Sequence, residues 1–322
     1  MRKLFYAVLF IFIFSLTSYG ASTMKIAVVT TPGSAQHVAA EKFKEIAEAK
    51  LNGTYKFEIY HSASLGDESS ILQQIQFGTV EIGVITSGPV GNFNKKIQIF
   101  DLPFIFKSNE QADEILDGPI GKEVLDSLEV AGFKGMHFLE NGFRNLTNNK
   151  RPVMNVNDVK GLKIRTMAAP AHVKLWKQLG ANPTPMGWPI NTELQQGTID
   201  GQENPLWVID KYKLFEVQKY LSLTRHVYSP NVFLMNLNVY KSLPSDIQKV
   251  FMDAAKEASN YERNWNRSNN EGFLRHLKAE GMNIIENPDV ESFRQKAAPI
   301  YESAKKEIDK ELVEKLLGAI KK

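Results

Sequence analysis

From Pro244 onward one pattern holds with little interruption. Ile247, Val250, Phe251, Ala254, Ala258, Tyr261, Trp265, Phe273 and Leu277 keep helical spacing, and no proline or glycine intervenes before Gly272 and Gly281. A single helix of about 35 residues would extend about 50 Å, longer than one compact domain requires, and could lie across two lobes and brace them. Two ordinary helices broken near 269–272 satisfy the same spacing. Ahead of this segment the chain alternates between strand and helix patterns. Residues 24–29, 55–60 and 80–85 read as strands, and 35–49 and 67–77 as helices, the second closed by Gly78. A second alternating series runs from Gly135 to about Ser229. The expectation is an α/β architecture with mainly parallel sheets, in two lobes that suit 322 residues.

Composition narrows the function classes. The chain is 43% hydrophobic and 23% charged, as in an ordinary globular protein, which excludes a disordered tail, a collagen and a multi-span membrane protein. Lys+Arg 39 against Asp+Glu 36 is nearly balanced and no like-charged run stands out, so nothing marks a nucleic-acid surface. The cysteine count is 0. Disulfides, cysteine-ligated zinc, iron–sulfur clusters and a thiol nucleophile are therefore out.

The N-terminus has its own logic. Arg2 and Lys3 precede an apolar run from Leu4 to Phe14, and Ser18 and Gly20 supply a pair of small residues. This is the pattern of a secretory signal cut after Gly20, and the run is shorter than the roughly 20 residues of a membrane span. With no cysteine to carry a lipid, the mature chain is expected free in the periplasm. Losing Arg2 and Lys3 lowers the 39 basic residues to 37, against 36 acidic.

Catalytic chemistry is hard to find. His37, His61, His137, His172, His226 and His276 are scattered without metal-ligand spacing. No H-E-x-x-H, G-x-S-x-G or phosphate-binding glycine loop occurs. His172 lies one helical turn before Trp176 and suits packing better than ligation. Asp67 and Glu68 stand where a helix begins, so their charges favour its dipole. Neither a cofactor nor a metal is expected. Two arginines are more pointed. Arg144 follows the strand pattern of 135–139, and Arg165 ends the strand-like 161–166. Ligands of α/β sheets gather at carboxyl ends of strands, where a guanidinium grips a carboxylate bidentately. By residue type alone, a surface or structural salt bridge explains either arginine better than a ligand contact does. The polar run 200–205, Asp-Gly-Gln-Glu-Asn-Pro, reads as a loop.

Taken in order, several short runs carry a resemblance. They are Ser64-Leu65-Gly66-Asp67-Glu68, Leu102-Pro103-Phe104, Asn141-Gly142-Phe143-Arg144, the stretch from Val159 to Arg165, the stretch from Gly180 to Met186, and Leu194-Gln195 through Pro205. With these the chain resembles, over essentially its whole mature length, the solute-binding proteins of tripartite ATP-independent periplasmic (TRAP) transporters, the DctP family. The resemblance implies a two-lobed periplasmic binding protein fold with a hinge, a ligand cleft between the lobes and a long helix spanning both. The expected division is 1–20 as signal peptide, 21–141 with about 230–269 as lobe I, and 142–229 with about 270–322 as lobe II.

It also implies an organic acid as ligand, membrane permease subunits as partners, and a monomeric protein. Arg165 corresponds to the family's main carboxylate clamp, Arg144 to a second arginine approaching the same carboxylate, and Asn204 to an amide that completes its hydrogen bonding. Glu68 and Trp188 correspond to positions lining the cleft. Asn231 is a further polar candidate for a second contact. After Trp188 the chain reads Pro189-Ile190-Asn191-Thr192, where many relatives carry a Ser-Glu-Val-Tyr-like run one residue longer. Val29 and Thr30 stand where some relatives place an asparagine. The specificity shell therefore matches no single subgroup, and a sugar acid such as a uronate is expected slightly ahead of a C4-dicarboxylate. Competing expectations are a receptor feeding a membrane sensor and, with no visible nucleophile elbow, an exported hydrolase.

Overall fold

The computed structural model describes residues 22–321, so the signal segment lies outside the described residues. Nine strands form one sheet: β1 (Ser22–Ala27), β2 (Tyr55–Tyr60), β3 (Ile82–Thr86), β4 (Phe133–Asn148), β5 (Lys163–Thr166), β6 (Asn182–Pro185), β7 (Gly201–Asn204), β8 (Tyr220–Asn236) and β9 (Asn283–Ile285). Their order is β2-β1-β3-β8-β4-β7-β5-β6, with β9 on β8. β2-β1-β3 and β7-β5-β6 are parallel wings, one per lobe. The expectation of parallel pairing holds in these wings and fails between them.

There β4 and β8, of 16 and 17 residues, run antiparallel from Phe133 opposite Asn236 to Asn148 opposite Tyr220. Each spans about 50 Å, so both belong to both lobes. Sequence alone shows a strand only over 135–139, because Asn141, Gly142, Arg144 and Asn145 break the apolar pattern. They stay in the strand because bulges absorb the irregularity. Register shifts fall between Gly135 and His137, Glu140 and Gly142, and Arg144 and Leu146. Gly142 takes φ +114°, a conformation that L side chains rarely adopt.

The pattern after Pro244 resolves as one helix, Ser245–Ala279, of 35 residues. Gly272 sits within it, on open surface. The buried face changes character along its length. Phe251, Ala254 and Ala258 pack into the core under β1 and β3, while Phe273 and Leu277 join a second cluster with Ile190, Trp207 and Leu221. Between these ends the buried residues are Ser259 and then Glu262, Arg263 and Asn266. The last three lie over the middle of β4: Glu262 Oε2 accepts the Glu140 N–H at 2.9 Å, and Asn266 Nδ2 donates to Glu140 Oε1 at 3.2 Å. Burial raises the carboxyl of Glu262 well above the usual range, and neighbouring Glu140 adds to the effect. Tyr261, counted with the apolar stripe, is instead 48% exposed.

The last helix, Lys310–Ala319, packs against 95–101 and 119–127, and Gln111 Nε2 donates to Ile320 O at 3.0 Å. The end of the chain, from about residue 309, therefore packs on segments far from it in sequence. Leu312, Val313 and Leu316 are wholly or almost wholly buried and drive this packing.

Candidate functional site

Between the lobes lies a cavity of about 40 Å³. Five of the six candidate residues, Arg165, Arg144, Asn204, Trp188 and Glu68, line it. Asn231 does not. It is fully buried on β8 and acts from behind the wall, its Oδ1 accepting from Gln36 Nε2 at 3.2 Å.

The first-lobe wall is built from helix capping. Asp67 caps the helix Glu68–Phe77, its Oδ1 accepting the Ser70 N–H at 2.9 Å, and Gly78 ends that helix at φ +77°. Glu68 is thereby fixed in the first turn beside the cleft. Its Oε1 accepts from Thr86 N and Thr86 Oγ1, both at 2.7 Å, and from Gln36 Nε2 at 3.1 Å. Gln36 Oε1 accepts from Thr30 Oγ1 at 3.2 Å. This wall is rich in oxygen acceptors. Gln36 and Thr86 are missed by sequence reasoning, since nothing separates them from ordinary helix-start and strand-end residues.

The opposite wall carries two arginines in different electrostatic states. Arg144, in mid-β4, is fully buried: Nε lies 2.5 Å from Glu203 Oε2, and Nη2 donates to Glu203 Oε1 at 3.1 Å and to Asn204 Oδ1 at 3.0 Å. Its Nη1 has no hydrogen-bond partner among the described residues. Asn204 therefore orients Arg144, and its own Nδ2 donates to Gln202 Oε1. Arg165, 3% exposed, donates Nε and Nη2 to Met186 O at 3.0 and 2.7 Å and makes no ion pair among the described residues. Burial, with Arg144 adding to it, lowers the guanidinium to about 10, and Glu203, Glu68 and Glu193 oppose that shift only from a distance. Arg165 is the unmatched charge of the cleft. Its guanidinium lies 5.4 Å above the Trp188 ring, which meets Tyr212 edge-on at 4.7 Å.

Behind Arg144 stands a buried network that the sequence does not announce. Glu203 also contacts His172 Nδ1 at 3.3 Å and His226 Nε2 at 3.1 Å, and His172 Nε2 lies 3.4 Å from Asp101 Oδ1. Burial pushes the Glu203 carboxyl up, but Arg144 and His172 outweigh it and hold it well below the carboxylate range. Burial likewise disfavours charge on His172, yet Glu203 and Asp101 prevail and raise it. His226 is lowered by burial, with Arg144 and His172 adding to the effect. As a neutral ring it donates Nε2–H to Glu203 and accepts the Thr224 hydroxyl at Nδ1, 2.8 Å away. His172, expected to serve as packing or as a polar tip, is thus a buried polar member of the scaffold that fixes Arg144.

The sign of its pH dependence follows. A raised native value means that His172 contributes stability in full below its ordinary 6.5, and that this contribution is lost as pH rises through the raised value. The melting temperature difference between wild type and His172→Gln should therefore narrow as pH rises above the ordinary histidine value of about 6.5. A constant difference would mean that His172 acts only by packing.

The lobes meet in a closed arrangement. Thr31 N–H donates to Tyr212 Oη at 3.0 Å, and Asn92 Nδ2 donates to Ala168 O at 2.6 Å. Gly187 passes so close to the Asp67 cap that an added Cβ would stand 2.5 Å from Oδ2 and 2.9 Å from the Asp67 Cβ. Gly187→Ala should therefore hold the lobes apart. The expected cost to ligand binding is about 1–3 kcal/mol, or about 5- to 150-fold in Kd, with the ligand-free melting temperature unchanged. Unaltered affinity in calorimetry would show that closure does not need this contact.

Among the described residues no group of His, Asp and Glu is arranged to hold a metal, and no helix is long and apolar enough to cross a membrane. The comparisons with known proteins agree with a cleft built for a solute. The model of the bacterial extracellular solute-binding protein family 7, DctP, matches residues 26–307. A solute-binding protein of Verminephrobacter eiseniae is 40% identical over 304 residues, covering 94% of this chain and 91% of that protein. The TRAP periplasmic solute-binding protein of Polaromonas sp. JS666, solved bound to D-erythronate, superposes with a TM-score of 0.90 at 38% identity, covering 92% of this chain and 98% of the other. The sugar acid binding protein DctPAm of Advenella mimigardefordensis, solved with galactonate, gives 0.90 at 35% identity, covering 94% and 98%. This chain belongs to the DctP family of extracellular solute-binding proteins and is a two-lobed TRAP-type binding protein, not an enzyme.

Proposed function

We propose that this protein captures a small hydroxylated monocarboxylate in the periplasm and delivers it to a TRAP membrane permease. The observation that carries this reading is Arg165, a buried arginine without an ion-pair partner among the described residues. A desolvated cation is costly unless an anion joins it. Arg144 is already matched by Glu203, so the cleft has room for one negative charge, with Arg144 Nη1 as an auxiliary donor. A dicarboxylate would bring its second charge against Glu68. Hydroxyl groups suit that wall instead, because Glu68, Gln36 and Thr30 can accept their hydrogen bonds. The cleft cavity is small, about 40 Å³, which favours short acids over large ones.

Capture follows from the two walls. The carboxylate meets Arg165, the hydroxyls meet the first lobe, and closure removes water and strengthens both sets of contacts. The hinge lies where Glu140 and Gly142 on β4 face Pro230 and Ser229 on β8, at a register shift. Export by the N-terminal segment, with no lipid anchor, completes the reading. Thermal shift of the protein from Ala21 onward tests it, using D-erythronate, D-galactonate, D-glucuronate, succinate and the neutral polyol erythritol. An acid at 100 times its Kd should stabilise by about 2.7 kcal/mol. The expected result is a rise with one of the hydroxy acids and none with erythritol; an equal rise with erythritol overturns the carboxylate assignment.

A further inference from the structure

A larger cavity, about 230 Å³, lies on the far side of the hinge strands, under the long helix. Asn141 and Trp207 line both this space and the cleft, so a single layer of side chains separates them. Its rim is polar, with Asn109, Asn145 and Asn270 beside Arg225, and Phe143 and Leu274 supply apolar surface.

Arg225 is placed there by an unusual feature of β8. Ser222 pairs with Leu146 and Val227 with Arg144, so residues 223–226 bulge out opposite Asn145 alone. Alternation through the bulge sends Thr224 and His226 inward to the Glu203 network and leaves Arg225 on the outer face. Arg225 holds φ +45°, strained for a residue with a side chain, and its N–H donates to Asn145 Oδ1 at 3.2 Å. Its guanidinium lies 4.0 Å over the Phe143 ring. It makes no ion pair among the described residues, whereas Arg267 across the cavity is matched by Asp113 and Glu140.

We propose that this rear cavity is a second binding site, for a small hydroxylated carboxylate, with Arg225 taking the carboxylate and the amides of Asn109, Asn145 and Asn270 taking hydroxyl groups. The site also acts on closure. Asn109 belongs to the first lobe, Arg225 and Asn145 lie beyond the hinge positions on β8 and β4, and Asn270 rides on the helix that crosses both lobes. Bending that closes the front of a hinge spreads its back, so an occupant of the rear cavity favours the closed form and tightens the cleft, and the reverse holds equally. The inference rests on the hinge proposed above.

The test uses Arg165→Met, which disables the cleft, titrated with D-erythronate to tens of millimolar and followed by ¹H–¹⁵N correlation spectra. Saturable shifts are expected at the amides of Asn145, Arg225 and Asn270. Arg225→Ala in that background should weaken them by about tenfold or more. Asn270→Trp, which blocks the rim without touching the bulge, should do the same. Absence of saturable movement at these amides, or saturation unchanged by both substitutions, overturns the proposal. In the wild type, amides of Thr86 and Met167 report the cleft separately, so either assignment can fail while the other stands.

Discussion

Replacing Arg165 with methionine should abolish high-affinity binding while leaving the ligand-free protein at least as stable as wild type. The two outcomes belong together. In the complex Arg165 is one partner of a desolvated charge pair, and removing it strands the ligand carboxylate. Such a loss costs about 2–5 kcal/mol, or about 30- to several thousand-fold in Kd. Without ligand, Arg165 has no ion-pair partner among the described residues and only the Met186 carbonyl as acceptor. An apolar side chain of similar reach removes a buried charge and keeps its packing against Trp188. Calorimetry gives the affinity and thermal melting the stability. Loss of both together would mean that Arg165 is a structural residue and that binding fails because the fold fails.

Glu203 should show the opposite profile. It is fully buried and faces Arg144, His172 and His226 at once. Glu203→Leu leaves Arg144 without its counter-charge and removes the main influence that raises His172, and a broken buried pair of this kind costs about 3–5 kcal/mol of stability. The affinity should fall too, because Arg144 loses the contacts that aim it. Urea unfolding of Glu203→Leu and of the double variant Arg144→Met/Glu203→Leu separates the causes. The double variant should recover part of the lost stability, since no arginine is then stranded. A single-variant loss below about 1 kcal/mol would place Glu203 among weak surface-type pairs and contradict the network's structural role.

How much of this is legible in the sequence depends on whether the cause is local. The helix Glu68–Phe77 announces itself through Asp67 and Gly78, and β2 through simple alternation, because capping and pleat act within a few residues. The long helix is legible in its spacing, although continuity through 269–272 is settled only by packing at both ends. β4 and β8 are not legible as long strands. Their polar centres resemble turns until the partner strand and the helix residues Glu262 and Asn266 supply hydrogen bonds from 122 and 126 residues away. The same limit governs the site. Arg165 and Arg144 stand out by residue type and position, but which of them carries the unmatched charge depends on Glu203, His172 and Asp101, brought together from three distant segments. Asn231 looks eligible by chemistry and is removed from the cavity by one intervening side chain, Gln36.

The most direct test of the central claim is a crystal structure of the mature protein with the acid that gives the largest thermal shift. The account predicts the carboxylate against the guanidinium of Arg165, one oxygen also reaching Arg144 Nη1, and hydroxyls towards Glu68 and Gln36. A ligand bound in the reverse sense, with its carboxylate on the first-lobe wall and Arg165 still bonded only to Met186, would contradict it.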